Sequence, residues 1–339
     1  MKCLNCNSEW TSTTTNMKNC PFCGAELFTS SDPFVLAEQG DSESQYIVAQ
    51  RYEFGDQVRR DYGEAMKWYK ASANQGYAPA QSRLGNIYQI GRIVEQNFDE
   101  AVKWYMKAAE QNYGAAEYML GKCYEYGQGV VKDYEESVKW YKKAVEDGYE
   151  YANYGLGLMY FNGSGVEQNY IEAVNCFKKA SDDGSMQADN CLGVCYFYGY
   201  GVETDYDKAV SYFIKAAEQG NAASQYILGV LYYNGEFIKS EKKYDFKYIA
   251  EKWFEKSANQ GYAPAQYELG VCYNNGDCVL RNTDEAMSWI YKSAEQGYEP
   301  AQVVLAQYGG RGKGSLVYKT QSKALIFNRL PRALSISMN

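Results

Sequence analysis

Histidine is missing altogether from this 339-residue chain. That absence excludes Ser-His-Asp and Cys-His nucleophile systems. It also excludes His-liganded zinc, copper or haem, so any metal site must use Cys or carboxylates. Proline is scarce, with 6 residues. No stretch approaches 18 consecutive apolar residues, the length a membrane-spanning helix needs. The amino terminus, Met1-Lys2-Cys3-Leu4-Asn5-Cys6, has no apolar run of the secretory kind. The expected compartment is therefore the cytoplasm, where the 10 cysteines stay reduced or bind metal. Basic residues are outnumbered 42 to 34, for a net charge of −8. That balance argues against a protein that wraps nucleic acid over its whole surface. Length alone, at roughly 100–200 residues per domain, suggests two compact domains.

What is present in excess is tyrosine, 35 residues, and glycine, 31. A repeated unit explains both. Asn-Gln-Gly-Tyr-Ala-Pro-Ala-Gln occurs at Asn74–Gln81 and again at Asn259–Gln266. Variants of the phrase place Gly40, Gly76, Gly148, Gly184, Gly220, Gly261 and Gly297 on a 36-residue ruler, with one step of 41. Asn112 stands at the one missing mark. Asn tolerates the left-handed conformation nearly as Gly does, so these positions read as helix C-caps. Residues 41–297 then hold seven units.

Each unit has two halves. The first carries a small residue, Leu-Gly, and Tyr, as in Ala80, Leu84-Gly85 and Tyr88, or Ala188, Leu192-Gly193 and Tyr196. Spacings of four put these on one helical face, and the Gly admits a neighbouring helix. A Gly-x-Gly turn follows. The second half opens near Asp or Asn (Asp61, Asp133, Asn169) and runs through Ala and an aromatic pair, as at Ala101 with Trp104-Tyr105. Five of the six tryptophans share this register: Trp68, Trp104, Trp140, Trp253 and Trp289. Such a helix-turn-helix unit cannot bury its apolar face alone, so neighbours must stack. Phe34 to Gly40 resembles the end of a second helix, and Ala301 to Ala306 begins an eighth first helix.

The pattern Ala-x-x-x-Leu-Gly-x-x-Tyr, Gly-x-Gly-Val, Ala-x-x-Trp-Tyr-x-x-Ala-Ala, Gln-Gly resembles the Sel1-like repeat family, relatives of the tetratricopeptide repeats. The resemblance covers about three quarters of the chain. It implies an all-α, right-handed α-solenoid and a protein–protein adaptor role. The expected organisation is a zinc ribbon at 1–28, a linker and half-repeat cap at 29–40, seven repeats at 41–297, and a degenerate repeat with a basic tail at 298–339.

The ribbon rests on Cys3-x-x-Cys6 and Cys20-Pro21-Phe22-Cys23, two Cys-x-x-Cys knuckles with 13 residues between them. Each knuckle offers two thiolates to one side of a tetrahedral zinc ion. The alternative is disulfides or free thiols. Four protein ligands close the coordination sphere, so the ion would be structural. Lys2 and Lys18 are balanced by Glu9 and Glu26, which argues against nucleic-acid binding by this segment. Of the other cysteines, Cys123, Cys195 and Cys272 share a register held elsewhere by Ile87, Met159 and Leu231, which marks core. Cys191 and Cys195, four apart, read as core or as a metal pair. The disulfide positions of the secreted branch of this family hold no cysteine here, as at Ala108-Ala109 with Ala116-Glu117.

A partner is expected on the concave side, lined by the first helices. The stripe opposite the core residues is polar in units one to three. In units four to six it holds Tyr154, Leu158, Phe161, Val194, Phe197, Tyr226, Val230 and Tyr233. Two readings follow. The stripe is a groove for a peptide or helix, or it is buried between neighbouring first helices. Low accessibility of Leu158, Val194 and Val230 would remove the groove.

A five-residue insertion in unit six mixes Lys239, Lys242, Lys243 and Lys247 with Glu236, Glu241 and Asp245, and reads as a solvated loop or a lip beside the groove. Residues 309–339 carry six bases and no acid. They read as a cap, a mobile tail, or a contact for anionic membrane or nucleic acid. No poised nucleophile, phosphate-binding loop or paired-acid pocket appears, so the expectation is a non-catalytic scaffold. The alternatives are a ribbon-mediated nucleic-acid-associated regulator and, more remotely, a β-lactam-binding hydrolase-like relative, for which no Ser-x-x-Lys appears with supporting motifs.

Overall fold

The structure is a computed structural model that describes residues 23, 32–235, 246–276 and 279–311. Among the described residues every regular element is an α-helix. Helix α1 (Pro33–Glu38) precedes seven hairpins. These pair α2 (Ser42–Phe54) with α3 (Tyr62–Asn74), α4 (Ala78–Ile90) with α5 (Phe98–Ala109), and α6 (Gly114–Tyr126) with α7 (Tyr134–Glu146). They continue with α8 (Ala152–Asn162) and α9 (Tyr170–Asp182), α10 (Met186–Tyr198) and α11 (Tyr206–Glu218), and α12 (Ala222–Asn234) and α13 (Phe246–Asn259). Last come α14 (Ala263–Asn275) with α15 (Thr283–Glu295), and α16 (Glu299–Arg311). The fold class is an all-α solenoid of helix-turn-helix repeats. The chain divides into two compact units: residues 1–152 with 164–166, and residues 153–163 with 167–339.

Local chemistry places the helix ends. Second helices α3, α5, α7, α9, α11 and α15 start at an Asp or Asn whose side chain accepts main-chain amides. The Asp133 carboxylate takes those of Glu135 and Glu136 at 2.9 and 3.1 Å, a cap of the kind that contributes about 1 kcal/mol. They end on the 36-residue ruler, whose marks all have positive φ, including Asn112 at 59°. The Gly-x-Gly turn is a packing element as well. At Gly165, with φ of 68°, an added Cβ would lie 2.1 Å from the main-chain oxygen of Tyr134. Only a residue without a side chain lets this turn rest on the second helix of the preceding repeat.

The Leu-Gly of the first helix explains how the two halves of a repeat close. A Cβ at Gly85, Gly121, Gly193 or Gly229 would sit 2.4–2.5 Å from the ring of Tyr105, Tyr141, Phe213 or Phe254. The buried ring is the second of the aromatic pair. Tyr69, Tyr105, Tyr141, Phe177, Phe213 and Phe254 are wholly buried, while the adjacent tryptophans are half-buried. In the first repeat Ala49 stands in place of Gly and Tyr69 still packs in the same cluster.

In the first unit, Phe34 and Ala37 of α1 pack with Val48 of α2 and close that end of the core. In the second unit one large cluster runs from α8 to α14. Cys123, Cys191, Cys195 and Cys272 are core residues. Burial pushes the Cys123 thiol up to about 11 and the Cys195 thiol to about 12, so neither is a ready nucleophile. No group of three or more Cys, Asp or Glu side chains suited to a metal ion occurs among the described residues. The knuckle residues Cys3, Cys6 and Cys20 lie outside them, and Cys23 is exposed. The charged insertion at 236–245 and the basic tail beyond Arg311 also lie outside the described residues. No described helix is long and apolar enough to cross a membrane.

Candidate protein-interaction surface

The buried aromatic of each second helix organises the first helix facing it. In the first three repeats this residue is tyrosine, and its hydroxyl has a polar partner. Tyr69 donates to Glu53 Oε2 at 2.7 Å. Tyr105 bonds Asn86 Oδ1 at 2.8 Å and Gln89 Oε1 at 2.7 Å. Tyr141 donates to Glu125 Oε2 at 2.6 Å. Burial is the largest cause raising the pKa of each of these tyrosines, and the facing carboxylates of Glu53 and Glu125 add to it for Tyr69 and Tyr141. In repeats four to six the same position is Phe177, Phe213 or Phe254, with no hydroxyl to satisfy. The facing stripe changes with it. Phe161 lies 6.3 Å from Phe177 and Tyr233 lies 6.5 Å from Phe254, centroid to centroid.

This pairing corrects the reading of the apolar stripe as an open groove. Leu158 is 8% exposed, Val194 1% and Val230 2%. Phe197 and Tyr226 are buried too, and Tyr154, Phe161 and Tyr233 are half-buried. All eight belong to the second unit's core cluster or pack against it. The stripe lies two residues before, two after and five after the core Leu. The outer two of those positions face the second helix of the same repeat. Tyr46 is 5.7 Å from Tyr69, Tyr118 is 5.7 Å from Tyr141, and Tyr226 is 6.1 Å from Phe254. A first helix wedged between neighbours leaves only a narrow face to solvent.

In repeats one to three that face lies at the positions one before, two after and six after the core residue. In the first unit it carries an exposed apolar row: Phe54 at 58%, Ile90 at 66% and Tyr126 at 45%. Each ends its first helix directly before a left-handed glycine, Gly55, Gly91 or Gly127. Ile47, Arg83 and Met119, with Gln50, Asn86 and Lys122, flank the row and are partly accessible. Arg83 joins neighbours along it, with its guanidinium 5.7 Å from the Phe54 ring centre and paired with Glu53. The sequence held a signal for this row that the stripe overlooked: an apolar residue before the helix-ending glycine, recurring in three consecutive repeats. In repeats four, six and seven that position is Asn162, Asn234 or Asn275.

The fold and this surface define a tandem helical-hairpin repeat protein with a side-chain row of one residue per repeat. The Sel1 repeat profile matches seven stretches, residues 42–77, 78–113, 114–149, 150–185, 191–221, 222–262 and 263–298. The chain belongs to the Sel1 repeat family. A protective antigen present in uropathogenic Escherichia coli strains, displaying an SLR fold, is 34% identical over 90% of this chain, with a TM-score of 0.66. The chain spans 63% of that protein's length. A Sel1 repeat protein from Oxalobacter formigenes is 30% identical over 81% of this chain and 78% of its own, with a TM-score of 0.65. No curated protein matches the chain. Sel1-repeat proteins are generally interaction scaffolds, and their solenoid is typically non-catalytic.

Proposed function

We propose that this chain is a non-catalytic adaptor that holds an apolar segment of a partner protein along the open face of α2, α4 and α6. The observation that carries the reading is the row Phe54, Ile90 and Tyr126. Large side chains exposed singly are ordinary, but a row repeated at one register on adjoining repeats is a surface with a period. Neighbouring helices pack about 8–10 Å apart, and each repeat inserts a second helix, so the row favours an extended or helical partner segment over a small ligand. Arg83 and Lys122 beside the row add polar anchoring points.

The four amino-terminal cysteines belong to this proposal as a separate part. Cys3, Cys6, Cys20 and Cys23 supply a soft, all-thiolate ligand set suited to one structural zinc ion. A segment of about 28 residues has too little core to fold unaided, so metal binding would supply its folding energy. Native mass spectrometry should show one zinc per chain, lost on Cys20→Ser; an unchanged mass after chelation would remove the ribbon. Core cysteines packed as small apolar side chains fit a reducing compartment, and we place the protein in the cytoplasm.

The adaptor reading is tested by comparing partners captured by the wild type and by Phe54→Ser/Ile90→Ser/Tyr126→Ser. The variant should keep its helical content and melting profile and lose the partners retained specifically by the wild type. An identical partner list from a folded variant would move the binding surface elsewhere.

A further inference from the structure

Helical hairpins are tied to the helix before them by a side-chain relay that is buried at every glutamine but Gln302. Gln45, Gln81, Gln225, Gln266 and Gln302 occupy one register of the first helices. Each donates its Nε2 to the main-chain oxygen eight residues earlier, at the end of the preceding second helix: Ala37, Ala73, Ala217, Ala258 and Ala294, at 3.0–3.3 Å. In four of these the Oε1 accepts from a glutamine at the end of the repeat's own second helix. Gln75, Gln111, Gln260 and Gln296 make these bonds at 2.7–2.8 Å. The amide therefore accepts on one side and donates on the other.

The third repeat breaks the relay with an acid. Glu117 holds the glutamine register and is 0% exposed. Its Oε1 pairs with Lys143 of α7, so the accepting half is kept. Its Oε2 is buried and has no hydrogen-bond partner. In the glutamine repeats this position donates to the main-chain oxygen eight residues earlier, which for Glu117 is that of Ala109, and an anionic carboxylate has nothing to donate there. The fifth repeat also carries an acid, Asp189, but solves the problem differently. Ser181 donates to Asp189 Oδ1 at 2.5 Å, and Lys215 reaches both Asp189 Oδ1 and the Ser181 main-chain oxygen, at 2.9 and 3.2 Å. No such substitute donor serves Glu117.

We propose that Glu117 carries a proton on Oε2 that it donates to the main-chain oxygen of Ala109, so that the joint between the second and third repeats is tightened by acid. The charged groups acting on Glu117 are Lys143, from α7, which favours the anion, and Asp147, at the C-cap of α7, which shares Lys143 and favours the proton. At the end of α5 that this register meets, Lys107 and Glu110 are exposed, Ala108 and Ala109 are buried, and the side chain of Asn112 also accepts from Lys143. Burial is the largest influence and raises the Glu117 pKa above the ordinary carboxylate range. A folded-state pKa raised in this way stabilises the fold at low pH, and the stabilisation is lost as pH rises through it.

Glu117→Gln supplies the donor permanently and tests the assignment. Its urea midpoint should exceed that of the wild type at pH 8, and the gap should shrink by at least half at pH 5. In the folded wild type, the Glu117 carboxyl carbon resonance should titrate well above the other glutamates. An equal gap at both pH values, or a Glu117 midpoint in the ordinary range, would overturn the proposal. Asp147→Asn separates the acceptors: the pH-dependent gap should persist, with its midpoint lowered. Its disappearance would assign the proton to Asp147 and sink the Ala109 bond.

Discussion

Tyr141 and Glu125 meet through a 2.6 Å hydrogen bond across the third repeat, and the identity of the tyrosine dictates the polarity of the helix that faces it. Where the second helix presents a hydroxyl, the first helix presents Glu or Gln five residues after its core position. Where the ring is Phe, the same place holds Phe161, Phe197 or Tyr233. A buried carboxylate left without its donor is costly, about 1–3 kcal/mol or more. Tyr141→Phe should therefore destabilise the protein by about 2 kcal/mol in urea unfolding. Adding Glu125→Leu should recover part of the loss, because both partners are then apolar. Additive losses in the double variant would refute the coupling.

The stripe of repeats four to six is part of the core or packs against it. Val194→Ser would place an unpartnered hydroxyl and a small void among Leu192, Cys195 and Val230 in the same cluster. The expected cost is about 2–3 kcal/mol. Ile90→Ser, at an exposed site, should change stability by no more than about 0.5 kcal/mol. Similar effects at the two positions would contradict the placement of one as core and the other as surface.

Gly193→Ala tests the close approach within the hairpin. In an unpacked helix this change would stabilise by roughly 1 kcal/mol. Here the new methyl would stand 2.5 Å from the Phe213 ring. Overpacking of that kind costs about 1–3 kcal/mol, so a net loss is expected by urea titration. Gly193→Ala with Phe213→Leu should regain stability relative to the single variant. A stabilising Gly193→Ala would show that the ring yields freely.

Asn112 is the one non-glycine mark on the 36-residue ruler, with φ of 59°. Asn112→Gly should be tolerated within a few tenths of a kcal/mol, whereas Asn112→Ala should cost about 1 kcal/mol through left-handed strain. Lys143 also donates to the Asn112 side chain at 2.8 Å, and that bond is lost in both variants. The difference between them isolates the backbone. Equal melting temperatures would mean that φ at this position relaxes without cost.

Much of this architecture was legible in the chain because its determinants are local. A helix period, a capping Asp or Asn and a left-handed C-cap each act within a few residues, so the ruler from Gly40 to Gly297 found the helix ends and Asn112 among them. The Leu-Gly pair likewise announced a close contact, because a helix carries Gly at a cost only where something approaches. The register relation between a core Leu and its neighbours on one helix was equally readable. What period alone left open was the direction in which the rest of each first helix faces. That depends on where the second helix packs, and the structure puts it against Tyr118 and Glu125, Tyr154 and Phe161, instead of leaving those positions to solvent. The shift of the open face to Phe54, Ile90 and Tyr126 is a fact of interhelical geometry, as is the burial of Glu117 Oε2 without a hydrogen-bond partner. The sequence by itself determined the repeat, its boundaries and its core residues. The tertiary structure decided which remaining side chains meet each other and which meet water, because a helix surrounded on several sides has no single face opposite its core.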